Sequence, residues 1–277
     1  MKNSIVFCLA TVLSLSLYGQ NKSNKPVPNS PTPTVNYNAT MRGKFGISDV
    51  QLIEKYLVNV EGVGISAKDV LMEQNLKAYM MPPRKMGEVN NSACYALASA
   101  LEFYTNLNNN YKDNLSPDYI KLNLPQTNIE DGLAFLATNG TVSAAILPFE
   151  SQNLTPSVNA AMKIKIKNYL KLFQPTTRPQ QKLYDLRKAI TRGNPVVVEM
   201  QITNEFKTLK QTRLWKPSEG DKTPAGVHYL VAVGFDEEKR AVELQNSVGR
   251  EWGNGGYIWI SYDDFSILAS NGYVLLP

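Results

Sequence analysis

The sequence predicts an α+β fold in which a helical first half meets a β-rich second half. An apolar, alanine-rich segment from Ser92 to Tyr104 has the composition of a buried helix. The β-branched runs at 195–200 and 229–235 are typical of buried strands, and two more strands are expected at 241–245 and 256–260. Because helices and strands are segregated along the chain, we expect two lobes that meet in a cleft.

Further helices are predicted in and before the first half. A short helix should begin near Ser48 or Asp49, and another should run from Ser66 to Tyr79 until the Pro82-Pro83 pair ends it. The remaining candidates share capping residues or amphipathic spacing and lie at 116–122, 130–138, 159–173 and 181–192.

The N-terminus has the pattern of an export signal. Lys2 precedes an apolar run from Ile5 to Leu17, which is shorter than the roughly 20 residues of a membrane-spanning helix. Residues 1–19 are therefore predicted to be a signal peptide. Export would take the chain to the periplasm or the cell exterior, with no stable membrane insertion after cleavage.

Three segments are expected after the signal peptide. Residues 20–40 are rich in Pro, Asn and Ser, which predicts a disordered linker. Residues 41–78 are interpreted either as a short helical pro-segment that inhibits the domain behind it or as an N-terminal extension. Residues 79–277 should form that functional domain.

The charge and the cysteine content limit the classes of function that the chain can have. The net charge is +5, but no basic run is longer than the pairs Arg84-Lys85 and Lys239-Arg240, so a nucleic-acid partner is not expected. Removal of the signal peptide would remove Cys8 and leave Cys94 as the one cysteine of the mature chain. Exported proteins normally use cysteines in pairs, so Cys94 is either a reactive thiol or a small buried apolar residue.

Cys94, His228 and Asn246 are the residue types that a thiol hydrolase needs: a nucleophile, a base and a group that orients the base. Ser92 as a helix N-cap would place Cys94 in the first turn, where the helix dipole stabilises a thiolate. His228, the one histidine of the chain, begins a predicted strand, and Asn246 follows another. A lone histidine on a strand is also compatible with an ordinary structural role.

These residues lie in blocks that resemble the papain family of cysteine peptidases, over about residues 79–273. The block Asn91–Ala98 resembles the surroundings of the family's nucleophile, and Gly226–Phe235 resembles the strand of its histidine. The block Asn246–Tyr257, long and irregular, resembles its asparagine turn. His228 follows Cys94 by 134 residues and Asn246 follows it by 152, which is close to the family's spacing.

The resemblance implies a papain-like two-lobed fold, with a central nucleophile helix in the helical N-terminal lobe and a β-barrel-like C-terminal lobe. It implies a secreted cysteine endopeptidase acting on proteins or peptides without metal or cofactor. Cys94 would attack the carbonyl and form a thioester, His228 would carry the proton and Asn246 would orient the ring. The backbone N–H of Cys94 would donate to the oxyanion.

The resemblance also implies a cleft wall formed by Asp131, Gly132 and Trp252. Val248 stands where the family has an aromatic residue that shields the asparagine–histidine contact. We therefore expect water to reach the contact between the corresponding residues of this chain.

One departure from the family bears on activity. The family supplies a second oxyanion donor from a glutamine shortly before the nucleophile, and this chain has none between Gln74 and Cys94. Asn90 and Asn91 are candidate substitutes, whereas the carboxylate of Glu88 would repel an oxyanion unless protonated. An alternative is thus a catalytically weak papain-like module that binds peptides or partners. Another acyl transfer, such as transamidation, also stays open.

Overall fold

The computed structural model describes residues 43–65, 71–87, 91–124, 128–220 and 222–277. The predicted signal peptide and linker lie outside these ranges. The helices are α1 (Val50–Tyr56), α2 (Ser92–Asn109), α3 (Pro117–Asn123), α4 (Ile129–Thr138), α5 (Pro156–Ala160), α6 (Pro179–Thr191) and α7 (Tyr262–Leu268). The strands are β1 (Glu73–Asn75), β2 (Asn168–Phe173), β3 (Val196–Thr203), β4 (Leu214–Trp215), β5 (Pro224–Asp236), β6 (Ala241–Gln245), β7 (Tyr257–Ser261) and β8 (Ala269–Leu276).

Helix α2 forms the centre of the helical lobe. It is buried on nearly all sides from Ser92 to Tyr104, as expected for a helix whose apolar residues are not confined to one face. Its small alanine side chains allow close approach to β5 on one side and to α3 and α4 on the other. Within the described ranges, no helix combines the length and the apolar character that crossing a bilayer requires.

The strands form one open sheet in the order β2-β8-β3-β5-β6-β7-β4, and β1 pairs with the far end of β5. All pairs are antiparallel except β4 with β7. The α+β class and the division into a helical and a β-rich part are confirmed. The barrel-like description is wrong in one respect, because β2 and β4 end the sheet without pairing to each other.

Several predicted elements are confirmed with small shifts of their ends. Asp49 caps α1 by accepting the N–H of Leu52, and Ser116 caps α3 by accepting the N–H of Tyr119. Helices α4 and α6 and strands β3, β5, β6 and β7 occupy the predicted regions. Helix α7 and strands β4 and β8 had no counterpart among the predictions.

The predicted helix at 159–173 is wrong. Helix α5 ends at Ala160, and β2 pairs with β8 along the sheet. The isoleucines and leucines at 164, 166, 170 and 172 alternate with lysines at 163, 165, 167 and 171, which is the period of a strand. Pairing with β8 satisfies the backbone and buries Leu170 and Leu172.

The predicted helix from Ser66 to Tyr79 is also wrong where the structure describes it; residues 66–70 lie outside the described ranges. Strand β1 pairs Glu73 with Asp236, and a short 3-10 helix, Lys77–Tyr79, follows it. Between them Leu76 is fully buried. The free edge at the end of β5 explains why three residues without a strand pattern become extended.

A buried ion pair fixes the segment before α2 to the helical lobe. The Arg84 guanidinium lies 2.6 Å from the Glu102 carboxylate, which also accepts the backbone N–H of Leu115. Arg84 donates in addition to the Leu115 carbonyl and to Ser99. Burial raises the pKa of Glu102 to about 7, although Arg84 and the two hydrogen bonds oppose that rise.

We expect Glu102→Leu to lower the free energy of unfolding by about 3–5 kcal/mol, since it leaves the Arg84 charge buried without its partner. The Arg84→Met/Glu102→Leu double variant removes both charges and should lose less than the Glu102→Leu variant. Urea unfolding of the wild type, both single variants and the double variant measures this. If the free energies of unfolding lost in the two single variants simply add in the double variant, the two side chains are not coupled and the prediction is wrong.

Residues 43–65 and 71–79 are hydrogen-bonded to the sheet and to the helices that cover it. Ile47 exchanges backbone hydrogen bonds with the chain at Tyr169 and Lys171, and Arg192 donates to the Leu57 carbonyl. Strand β1 lies at the end of β5 remote from His228, about 20 Å away at a strand rise of about 3.3 Å per residue. We therefore propose that this segment is a structural extension and not a removable inhibitor.

A chain that begins at Met80 should be less stable, because it loses β1, Leu57 and Leu76 from the core. Its activity per folded molecule should not exceed that of the chain with this segment. Thermal unfolding and active-site titration of both forms test this. Full stability together with higher activity after trimming would support the inhibitory pro-segment instead.

Candidate active site

His228 and Asn246 meet at a buried hydrogen bond. His228 lies on β5 opposite Met200 of β3, and Asn246 directly follows β6. The His228 Nε2 and Asn246 Oδ1 atoms are 2.8 Å apart, and both residues are almost fully buried. Neighbouring antiparallel strands thus bring together two residues that are 18 positions apart in the chain.

The hydrogen bonds define which ring nitrogen is free to react. The backbone N–H of Ser247 also donates to Asn246 Oδ1, at 2.7 Å, which identifies this atom as the amide oxygen. An oxygen only accepts, so the His228 Nε2 atom must carry the hydrogen. In the neutral ring the Nδ1 atom is then left with a lone pair that can take a proton.

An aromatic cluster covers the pair. The Phe206 ring lies 5.4 Å from the His228 ring, 4.8 Å from Trp252 and 4.9 Å from Trp215, measured between centroids. The Trp252 indole N–H donates to the Phe206 carbonyl at 2.6 Å, which holds the cluster to the turn after Asn246. The expectation that water reaches the pair through Val248 is therefore wrong, because Phe206 supplies the shielding from a different segment.

Burial changes the protonation of the ring. It lowers the pKa of His228 below its usual value of 6.5, the hydrogen bond to Asn246 opposes this, and the Lys207 charge lowers the pKa further. The net direction is downward, so the ring is neutral at pH 7. A neutral imidazole whose Nε2 hydrogen is bound to an amide oxygen is suited to act as a base.

Cys94 occupies the first turn of α2, where it is 2% exposed. The N-cap is Asn91 and not Ser92 as predicted, and the Asn91 side chain makes no capping hydrogen bond. The Ser92 hydroxyl instead accepts the backbone N–H of Tyr229 at 3.2 Å. This bond joins the turn that carries Cys94 to the strand residue next to His228.

The segment that precedes α2 runs beside the loop after Asn246. The Met86 N–H donates to the Ser247 carbonyl at 2.7 Å, and the Gly249 N–H donates to the Arg84 carbonyl at 2.9 Å. Gly256, whose carbonyl accepts the N–H of Asn246, has a φ of +87° and would place a Cβ 2.4 Å from Pro83. Of the candidate oxyanion side chains, Asn91 is partly exposed, and Glu88 and Asn90 lie outside the described residues.

The candidate cleft-wall residues lie in two places. Asp131, which is partly exposed, and Gly132, which is buried, both lie on α4. The first backbone N–H of this helix, that of Ile129, donates to the Tyr229 hydroxyl. The start of α4 thus contacts the residue that comes after His228. Trp252 is buried within the aromatic cluster on the other side.

Sequence reasoning missed Phe206, Trp215 and the role of the Ser92 hydroxyl. Phe206 lies in a polar stretch, Glu205–Thr208, that forms a 3-10 helix and offers no periodic signal. Its proximity to His228 arises from the fold, because Gly253 donates to the Leu209 carbonyl and draws this segment against the glycine-rich turn.

Comparison with known proteins bears on the family and the fold of the chain. The model of the Peptidase_C39 like family matches residues 89–267, well over half of the chain. That match contains Cys94, His228 and Asn246. A search of the curated proteins returned no match.

Solved structures share the fold at low identity. Xylellain, a cysteine protease from Xylella fastidiosa, is 21% identical with a TM-score of 0.61, covering 88% of this chain and 99% of its own. Digestive procathepsin L 3 of Tenebrio molitor is 15% identical with a TM-score of 0.64, and the match covers 82% of this chain and 79% of the procathepsin chain. Bromelain protease from Ananas comosus, solved with the E64 inhibitor, is 16% identical with a TM-score of 0.60, and the match covers 75% of this chain and 99% of the bromelain chain. The chain therefore belongs to the Peptidase_C39-like family and is a papain-like cysteine peptidase.

Proposed function

We propose that the chain is a secreted cysteine endopeptidase that hydrolyses peptide bonds with Cys94, His228 and Asn246. The observation that carries this proposal is the buried 2.8 Å hydrogen bond between His228 and Asn246, beside the first turn of the helix that bears Cys94. The export signal predicted at residues 1–19 supports the location. Xylellain and bromelain, which share the fold, are proteases by name.

The reaction begins with proton transfer from the Cys94 thiol to the Nδ1 atom of His228. The sulfur attacks the carbonyl carbon of the scissile peptide bond, and the carbonyl oxygen becomes an oxyanion. The imidazolium then gives its proton to the leaving nitrogen, the C–N bond breaks and the amine product departs. The remaining acyl group is held as a thioester on Cys94.

Hydrolysis of the thioester returns the enzyme to its starting state. The neutral His228 ring takes a proton from water, and the resulting hydroxide attacks the thioester carbonyl. The C–S bond breaks, the carboxylic acid product leaves and the proton returns to the sulfur. Asn246 keeps the Nε2 hydrogen in place, so the Nδ1 atom is the proton carrier in both halves.

The oxyanion is where this chain departs from its family. The backbone N–H of Cys94 would be one donor, aided by the positive end of the α2 dipole. With no glutamine between Gln74 and Cys94, the Asn91 or Asn90 amide would be the second. Loss of one such donor costs about 3–4 kcal/mol of transition-state stabilisation. This departure favours a second candidate function, a peptide-binding module with weak catalysis.

Alkylation of Cys94 separates these candidates. Without the leader the chain has one thiol, so iodoacetamide labelling followed by mass spectrometry reports on Cys94 alone. At pH 7 the folded chain should react faster than the urea-unfolded chain, and His228→Gln should abolish the difference. Cleavage of casein or a fluorogenic peptide should fall at least about 10³-fold in Cys94→Ala and in His228→Gln.

Labelling no faster than that of the unfolded chain, together with no turnover, would assign the chain to the binding-module class. Turnover that rises when an amine acceptor is added, with an amide as product, would assign it to transamidation. The Lys165→Gln variant, altered on an exposed lysine of the loop before β2, serves as the matched control and should label and cleave like the wild type.

The protonation of His228 is directly measurable, since the chain has a single histidine. An NMR titration of its ring protons, on untagged protein, should give a pKa below 6.5. Phe206→Ala admits water to the ring, which favours the charged form, so the pKa should rise toward 6.5. The neutral ring is the active base, and protonation removes it as the pH falls. The acid-side loss of activity should therefore occur at a higher pH in Phe206→Ala than in the wild type.

Phe149→Ala provides the matched control, because Phe149 contacts Arg84 and is not part of the aromatic cluster. It should leave the His228 titration unchanged. A wild-type pKa at or above 6.5, or a Phe206→Ala titration that moves downward, would contradict the burial argument.

A further inference from the structure

A pocket lies on the sheet away from His228 and Asn246. It encloses about 1000 Å³ where β4, β6 and β7 adjoin the 3-10 helix Lys77–Tyr79. We call it the Trp259 pocket. The lining residues that matter below are Asn75, Lys77, Arg213, Leu214, Lys239, Glu243 and Trp259. None of them belongs to the candidate active site.

The floor of the pocket is a row of cross-strand neighbours. Trp259 of β7 is paired with Glu243 of β6 on one side and with Leu214 of β4 on the other. Partners in register present their side chains on the same face of a sheet. Leu214 is 43% exposed and Trp259 is partly exposed, so an indole and an isobutyl group lie uncovered side by side.

The rim of the pocket is cationic. Lys77 binds the buried Glu243 carboxylate at 3.1 Å, and Asn75 donates to its other oxygen at 2.5 Å, so this acid is already satisfied. Lys239 pairs with Asp236 and lies over the Trp259 ring.

Arg213 differs from the two lysines. Its side chain is exposed, and within the described part of the chain it makes no ion pair or hydrogen bond. Its backbone carbonyl accepts the backbone N–H of Trp259 at 2.9 Å, which holds the two backbones side by side at the pocket that both residues line. Among the residues that the structure describes, the pocket thus has an apolar aromatic floor and one cation whose charge is unmatched.

We propose that the Trp259 pocket binds an organic carboxylate with an apolar, preferably aromatic, body. The planar guanidinium of Arg213 suits a carboxylate because it donates two parallel hydrogen bonds. Trp259 and Leu214 would bury the apolar body of the same ligand. Such a carboxylate is supplied either by a small acid or by the C-terminus of a peptide.

The pocket and the peptidase reaction are separable by experiment. The Cys94→Ala chain cannot form a thioester, so binding is measured without turnover. Calorimetry with N-acetylphenylalanine tests the small acid, and a hexapeptide ending in a free phenylalanine carboxylate tests the chain terminus. N-acetylphenylalaninamide and the amidated hexapeptide are the neutral controls of the same shape.

At least one of the two acids should bind about tenfold more tightly than its amide, since a charge-assisted hydrogen bond is worth roughly twice a neutral one. Arg213→Gln should remove that difference, and Trp259→Ala should weaken both acid and amide. Arg178→Gln, altered at another exposed arginine without an ion pair in the described residues, should bind like the parent.

Binding by the small acid alone identifies a free metabolite-like carboxylate as the ligand, and binding by the peptide acid alone identifies a chain terminus. The proposal is overturned if neither acid binds, if acid and amide bind equally, or if Arg213→Gln binds as the parent does. It is also overturned if Arg178→Gln weakens binding as much as Arg213→Gln. Each result stands whether or not the chain proves to be an active peptidase.

Discussion

The hydrogen bond between His228 and Asn246 depends on burial, and much of the surrounding structure serves that burial. Asn246 Oδ1 satisfies the Nε2 hydrogen of the ring, whereas Asn246 Nδ2 is buried with no hydrogen-bond partner among the described residues, and burial disfavours the charged form of the ring. Phe206 and Trp252 exclude solvent from one side. Strands β5 and β6 hold the two backbones at the required separation.

This arrangement favours a histidine that is neutral at rest over one that is permanently charged. Burial lowers the pKa of His228, while the hydrogen bond to Asn246 limits how far the pKa falls. The same bond settles the tautomer, because Asn246 Oδ1 also accepts the Ser247 N–H. The ring thus presents one defined nitrogen, Nδ1, for proton transfer in the proposed reaction.

The approach to Cys94 is held from both lobes. Arg84 anchors the preceding segment to Glu102 in the helical part, and Met86 joins it to Ser247 in the β-rich part. Ser92 then links α2 to Tyr229 on β5. A side chain that donates to the oxyanion would come from residues that lie between these anchors, so a substitute for the family's glutamine need not preserve its sequence position.

The α+β class, the central helix α2 and four of the eight described strands follow from the sequence, because composition, periodicity and turn residues are local signals. The sequence also identified the candidate residues Cys94, His228 and Asn246, through their residue types and the resemblance of their surroundings to the papain family. It misassigned β1 and β2, since a strand at a sheet edge depends on the partner that receives it. Tertiary structure alone decided that the sheet stays open, that Phe206 covers His228 and that Ser92 bonds to Tyr229 and does not cap its helix. Those contacts join residues distant along the chain, and no local pattern encodes which distant surface a side chain will meet.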